Sequence, residues 1–233
     1  MSGLDFHDFN LSQYVQGERI GKGGFGEVFQ VIHKDTKERY AAKILTSASI
    51  MDLKREVNNL AMTQHASVLS FVGFSSVDFN GDPEPVIITE YLPNGSLSNV
   101  LSLASRGISI EGWDNTKRII TLYGIAAGMS FLHKNKIIHR DLKTDNILVN
   151  EYLFPKIGDF GLSKRLEVDT DTTDMHSTSR VKGTFTYMAP EIFEKAQYLP
   201  AGDVYAFAFI IYEVMTDEKF EISMTPFAYS HQV

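Results

Sequence analysis

Two carboxylates and a carboxamide stand close together in this chain. Asp141 and Asn146 lie in His139-Arg140-Asp141-Leu142-Lys143-Thr144-Asp145-Asn146, and Asp159 opens Asp159-Phe160-Gly161 about a dozen residues later. Asn146 offers an uncharged oxygen and Asp159 a hard carboxylate, the ligand types that a phosphate-bound Mg²⁺ accepts. Asp141 can take the proton of an attacking hydroxyl, or orient that hydroxyl for in-line attack. Lys143 can screen the charge of a migrating phosphoryl group. Those types at that spacing point to phosphoryl transfer from a nucleotide. His139 invites the role of base, but the better reading is a packed residue beneath Phe160.

Elements upstream must bring phosphates to this segment. Gly21-Lys22-Gly23-Gly24-Phe25-Gly26 lets backbone N–H groups approach phosphate oxygens with no side chain in the way. A dinucleotide fold uses similar glycines but needs a helix after them. Here the β-branched run Glu27-Val28-Phe29-Gln30-Val31-Ile32 follows, so a glycine-tipped hairpin fits better. Lys43 lies in the apolar strand Tyr40-Ala41-Ala42-Lys43-Ile44. A buried ammonium there needs a counter-charge, which Glu56 on a following amphipathic segment can provide. The pair could then present the lysine to α- and β-phosphates.

Composition bounds the class. A chain of 233 residues, 43% hydrophobic and 22% charged, can bury a core as one large domain or two lobes. The net charge of -7 argues against a general nucleic-acid binder. Without cysteine there is no disulfide framework and no thiolate metal site. No apolar run approaches the ~20 residues of a membrane span. The start, Met1-Ser2-Gly3-Leu4-Asp5, carries neither a signal sequence nor a myristoylation glycine. A cytoplasmic protein with no membrane and no nucleic-acid partner is the expectation.

Texture divides the chain near Tyr91–Gly95. Before it, Tyr14–Ile20, Gly26–His33, Tyr40–Leu45 and Val86–Tyr91 read as strands. One helix, about Ala48–Thr63, interrupts them with Leu53, Val57, Leu60 and Ala61 at helical spacing. After it the pattern turns helical, with Ile119, Ile120, Tyr123, Ala126, Ala127 and Phe131 on the apolar side of Trp113–His133. The expected fold class is α+β, with a strand-rich lobe over 1–90 and a helical lobe over 91–233. Val168–Arg180, rich in Asp, Thr and Ser, reads as exposed and mobile.

These phrases together resemble a eukaryotic protein kinase, of the tyrosine-kinase-like group. The narrower likeness rests on Glu90-Tyr91-Leu92-Pro93-Asn94-Gly95-Ser96-Leu97, Gly124-Ile125-Ala126-Ala127-Gly128-Met129 and Lys156-Ile157-Gly158-Asp159-Phe160-Gly161-Leu162-Ser163-Lys164. It covers roughly Tyr14 to Tyr212. The resemblance implies a two-lobed fold with ATP and Mg²⁺ as cofactors. Asp141, Lys143, Lys43 and Glu56 would be the catalytic set, and Asn146 and Asp159 the metal ligands. Ile20, Gly21, Gly23, Gly24, Phe25 and Gly26 would cover the nucleotide. Val28, Ala41 and Leu148 would sandwich adenine, with Thr89 as gatekeeper and Glu90 to Leu92 as hinge. Leu60, Phe71, His139 and Phe160 would form a regulatory spine anchored by Asp203. Lys43, Asp141, Asn146 and Asp159 would converge on one metal-bound triphosphate.

Lys143 after Asp141, and Thr184 in Gly183-Thr184-Phe185-Thr186-Tyr187-Met188-Ala189-Pro190-Glu191, resemble serine/threonine kinases. Tyrosine kinases usually carry Ala or Arg in place of that lysine. Protein substrates with Ser/Thr acceptors are therefore the expected partners. An upstream kinase is a further one, because Thr170, Thr172, Thr173, Ser177, Thr178 and Ser179 precede Glu191. Phosphate on one of these could pair with Arg140 and order the segment, with Lys164 joining it. Asp169, Asp171 and Asp174 could instead supply part of that charge.

The chain departs from the family pattern after Asp203. Asp203–Met215 is apolar on nearly every face and should be a surrounded core helix, yet about eighteen residues follow it. No arginine after Arg180 can pair with Glu191, and Ala206 and Ala208 stand where Ser and Gly are usual. The expectation is a helical lobe lacking its last helices, with an apolar patch uncovered. A non-catalytic nucleotide-binding or interaction module is the competing reading. A small-molecule phosphotransferase is a third, opposed by the peptide-docking segment Thr184–Glu191.

Overall fold

In the computed structural model, residues 9–23, 26–46, 50–165, 184–195 and 198–220 are described. Their contacts group the chain into two compact units: Met1–His65 with Leu69–Pro93, and Ala66–Val68 with Asn94–Val233. Against the boundary expected after residue 90, the change falls three residues later. Residues 66–68 also join the second unit, where Ser67 O accepts from Ile157 N at 2.8 Å.

In the first unit five strands form an antiparallel sheet in the order β1-β2-β3-β5-β4. They are β1 (Tyr14–Gly23), β2 (Gly26–His33), β3 (Arg39–Ile44), β4 (Phe71–Ser75) and β5 (Val86–Glu90), with α1 (Ile50–Ala61) between β3 and β4. The β2–β3 turn closes because His33 Nδ1 accepts from the N–H groups of Asp35 and Thr36. Alternation along the strands then decides the faces. Leu11, Val31, Ala42, Ile44, Val86 and Ile88 are buried together on one side. The leucine, valine and isoleucine side chains among them each stabilise by about 1.5–3 kcal/mol on burial. Ile87 is buried on the other side, and α1 packs against β4 with Val57 and Leu60 enclosed. The strand β4 has no counterpart in the sequence reading. Its Gly73 lies where a Cβ would be 2.2 Å from the Phe9 ring, so the chain start packs closely over it.

The second unit contains α2 (Leu97–Ser105), α3 (Asn115–Lys134), α4 (Pro190–Lys195) and α5 (Pro200–Thr216). Short antiparallel pairs join β6 (Ile137–Ile138) to β9 (Lys164–Arg165) and β7 (Ile147–Val149) to β8 (Pro155–Ile157). Ser96 and Asp114 cap α2 and α3, accepting from Asn99 N and Lys117 N. A proline in the first turn opens α5, and left-handed Asp217 ends it. Arg118 of α3 clamps that end, donating to both Asp217 carboxylate oxygens at 2.6 Å and to Val214 O.

Two glycines explain how closely α3 approaches its neighbours. A Cβ on Gly124 would lie 2.7 Å from Pro155 Cγ; on Gly128 it would lie 2.8 Å from Ile157 Cδ1 and 2.9 Å from Ser67 O. Spaced four apart, they present one small-residue face to β8 and to residues 66–68. Gly128→Val therefore overpacks a site walled partly by backbone. It is expected to lower stability by about 1–3 kcal/mol, read as a lower urea midpoint at unchanged slope.

The sequence reading has α5 as an apolar helix that lacks part of its cover. Among the described residues, Asp203, Ala206, Ile210, Glu213 and Val214 are buried, while Val204, Tyr205, Ile211, Tyr212 and Met215 are exposed. No helix among the described residues is long and apolar enough to cross a membrane.

Candidate active site

Register places the first unit's candidate residues on one sheet face. Val28 pairs with Lys43, Lys43 with Ile87, and Ala41 with Thr89. Period-two alternation puts Val28, Ala41, Lys43 and Thr89 on a common side, opposite the core built on Ala42 and Ile44. There Lys43 Nζ meets Glu56 Oε1 at 2.7 Å, and the Glu56 side chain is only 7% exposed. The ammonium is thereby fixed beside Ala41 and Val28 rather than left to solvent. Burial makes the pair directional, because a lone charge in either position would be uncompensated.

The glycine hairpin is shaped by two irregularities. Arg19 pairs with Phe29 and Gly21 with Val28, so exposed Ile20 is an extra residue that bulges from β1. Gly26 pairs with Gly23, and a Cβ there would lie 1.9 Å from Ile44 O. Only glycine fits that contact. Gly24 and Phe25, expected to cover phosphates, lie outside the described residues. Thr89 and Leu92 are buried, and Glu90 Oε1 accepts from Ser70 N at 2.7 Å.

In the second unit, Asp141 has both carboxylate oxygens engaged. Oδ1 accepts from Thr184 N at 2.8 Å and from Thr184 Oγ1 at 2.9 Å. Oδ2 lies 3.0 Å from Lys143 Nζ and accepts from Asn146 Nδ2 at 3.0 Å. Lys143 Nζ also donates to Thr184 Oγ1 at 2.7 Å. Burial opposes ionisation of Asp141, but the Lys143 charge, its hydrogen bond and the two from Thr184 outweigh it. The carboxyl is held below its ordinary 3.8.

Asn146 spends its amide nitrogen on Asp141, since Nδ2 also donates to Asp141 O at 2.7 Å. Its carboxamide oxygen is thereby turned away from that carboxylate. Gly158 N donates to Asn146 O at 2.9 Å, which brings the exposed Asp159 next to Asn146 along the chain path. Asp159 has a positive φ of 55°. Leu148 is half-buried in β7, and Ser96 bridges to it.

A buried carboxylate from α5 holds the loop in place. Asp203 accepts from His139 N and Arg140 N, each at 2.9 Å, and from the His133 ring at 2.8 Å. Arg140 carries φ of 71°, a conformation that costs about 1–3 kcal/mol in a non-glycine residue and persists only where neighbours over-determine it. The two backbone bonds to Asp203 do so. His139 is enclosed, its Nε2 on Gly158 O at 2.8 Å and its ring 5.4 Å from that of Phe160. Such a ring is a packed residue with no route to solvent. Arg140 stacks its guanidinium on Tyr198 at 4.4 Å.

Of the expected set, Lys43 and Glu56 meet in the first unit, while Asp141, Lys143 and Asn146 meet in the second. Thr170, Thr172, Thr173, Ser177, Thr178 and Ser179 lie outside the described residues, as does the segment expected to be mobile. Sequence reasoning missed two groups. His133 on Asp203 carried no signal beyond its place in the last turn of α3. Glu213 did carry one, a lone carboxylate in the apolar run Ile210-Ile211-Tyr212-Glu213-Val214.

A family model described as the protein kinase domain matches residues 14–226. Among curated relatives, cysteine-rich receptor-like protein kinase 6 of Arabidopsis thaliana is 36% identical over 93% of this chain and 32% of its own length. Cysteine-rich receptor-like protein kinase 44 of the same plant is 34% identical over 93% of this chain and 57% of its own. A G-type lectin S-receptor-like serine/threonine-protein kinase of that plant is 34% identical over 100% of this chain and 28% of its own. The chain thus spans from under a third to just over half the length of these three relatives.

Proposed function

Since the chain belongs to the protein kinase family, we propose that it transfers the γ-phosphoryl group of Mg-ATP to serine or threonine hydroxyls of protein substrates. The observation that carries this is the arrangement on Asp141. A short hydroxyl, that of Thr184, already bridges Lys143 Nζ at 2.7 Å and Asp141 Oδ1 at 2.9 Å. An acceptor hydroxyl in similar surroundings would donate to a carboxylate and receive charge support from an ammonium. With its carboxyl held below the ordinary value, Asp141 is ionised at neutral pH. It serves chiefly to orient the nucleophile and takes the proton late.

The residues present suit the implied cofactor. Asn146 and Asp159 would hold the metal, two protein ligands being usual when phosphates and water supply the others. When bound, Mg-ATP would supply the phosphoryl group, and its Mg²⁺ would offset part of the phosphate charge. Lys43, fixed by Glu56 on the face shared with Val28, Ala41 and Thr89, would meet the phosphates. The aliphatic side chains of that face suit a flat, apolar base. Lys143, two residues after Asp141, together with Thr184, favours a short aliphatic hydroxyl over a phenol.

The test is label transfer from γ-labelled ATP with Mg²⁺ to a basic protein rich in Ser and Thr, followed by identification of the labelled amino acids. Label is expected on Ser and Thr, falling by roughly 10²-fold or more in Lys43→Met as phosphate stabilisation is lost. Nucleotide binding with no label on any protein would favour the non-catalytic module instead. Label confined to tyrosine would overturn the substrate class.

A further inference from the structure

The apolar side of α5 that faces solvent does not stand alone. Helices α3 and α5 run antiparallel, because His133 meets Asp203 at one end while Arg118 donates to Val214 O and Asp217 at the other. On α5, Val204, Ala208, Ile211 and Met215 recur at helical spacing, and all are exposed. On α3, Ile119, Tyr123, Ala126 and Ser130 do the same, with Ile119 56% and Tyr123 77% exposed. A groove lined by Ala126, Met129, Ser130, Val204 and Phe207 joins the two rows. They form one two-helix face.

No charge interrupts this face among the described residues. The acids of α5, Asp203 and Glu213, are buried, while Lys117 and Arg118 of α3 turn to Tyr152 O and Asp217. Exposed charges flank it at opposite ends: Lys134, the last residue of α3, and Glu218, just beyond α5. With 17 residues, α5 is about 25 Å long. Two helix axes about 10 Å apart then span a face of about 500 Å². Apolar patches of that size are rare on a soluble monomer.

We propose that the α3–α5 face pairs with the same face of a second copy of this chain, forming a closed two-fold dimer. Two such faces bury about 1,000 Å² together, the level at which an interface becomes specific. A two-fold axis normal to the face turns each end onto the opposite end of the partner. Lys134 of each copy then meets Glu218 of the other, so the flanking charges are complementary only in this self-pairing. Small Ala126, Ser130 and Ala208 let the helices approach, and Tyr123, Ile211 and Met215 fill the space between them. A lipid surface would instead favour basic residues along the border, and one flanking charge here is an acid. Pairing of this kind needs no transfer activity, so mass reads it whatever becomes of the kinase reading.

The full 233-residue chain is sedimented at about 1 to 100 µM, and its mass is compared with the protomer's 26.2 kDa. A reversible species of twice that mass is expected, its share rising with concentration. Ile211→Asp places an unpaired carboxylate in the contact and should weaken pairing by about 100-fold or more. Lys134→Glu and Glu218→Lys should each weaken it about fivefold, and the two together should return it to within about twofold of the parent. A parent that stays at 26.2 kDa overturns the proposal, whether residues 221–233 or nothing covers the face. Mass growing past the dimer overturns it too, since that marks open-ended association. Ile211→Asp pairing within about threefold of the parent would put the contact on another surface. If Ile211→Asp does not fold, the charge exchange decides: a double variant no tighter than either single one sinks the two-fold arrangement.

Discussion

Asp141→Asn is expected to lower kcat by roughly 10²–10⁴-fold, the range for losing a positioned proton acceptor, with ATP affinity little changed. The amide keeps the shape of the carboxylate but not its charge. One of its atoms must then offer hydrogen toward Thr184, or toward Lys143 and Asn146, all of which donate to Asp141. A fall below tenfold in a labelled-ATP assay would remove Asp141 from the chemistry.

A pH profile sharpens the same point. The folded pKa of Asp141 is depressed, so its contribution to stability is present above the ordinary carboxylate value and lost as pH falls through the folded value. Activity that needs the ionised form should therefore hold its acid limb low. Lys143→Met removes the opposing charge and its hydrogen bond while burial remains. The acid limb should then move to higher pH. An unmoved limb would mean that Lys143 does not tune Asp141.

Asp203→Ala is expected to be the most damaging single change to the fold. It strips a buried acceptor from His139 N, Arg140 N and His133 Nε2 together. Breaking a buried charged network in this way costs about 3–5 kcal/mol. Domains commonly hold only about 5–15 kcal/mol in total. The loss also frees the backbone of Arg140 from its positive φ, so the loop bearing Asp141 should relax. Urea unfolding followed by far-ultraviolet circular dichroism should show a midpoint shift of that size. A loss under about 1 kcal/mol would show that the loop is held by something else. Asp203→Asn, which keeps one good acceptor, should fall between.

Much of the architecture was legible because local rules write it. Residues flanking Lys43 alternate between faces, so once β2, β3 and β5 are recognised the register alone puts Val28, Ala41, Lys43 and Thr89 together. Helix α3 was legible as an element, but its buried face was not: Ile119 and Tyr123, read as its apolar side, are exposed, while Thr121, Ile125, Gly128, Met129 and Leu132 are buried, because two glycines let that other face approach β8. Strand β4 was not legible, because Phe71-Val72-Gly73-Phe74-Ser75 mixes a glycine and no clean alternation. Its glycine is explained only by the Phe9 ring packed against it. Helix α2 was missed for a similar reason, its nine residues being short and marked mainly by the Ser96 cap.

By itself the sequence determined the family and the residue types from which its chemistry is proposed. Types and spacing of Lys43, Asp141, Asn146 and Asp159 depend on neighbours a few residues away, and local periodicity records them. Only tertiary structure decided what holds those groups in place: Thr184 on Asp141, Asp203 under the loop, Glu213 between Thr144 and Tyr187. These partners are 26 to 69 residues apart in the chain. Each contact exists because burial leaves a charged oxygen no other source of hydrogen bonds, and no local pattern encodes which distant donor will arrive.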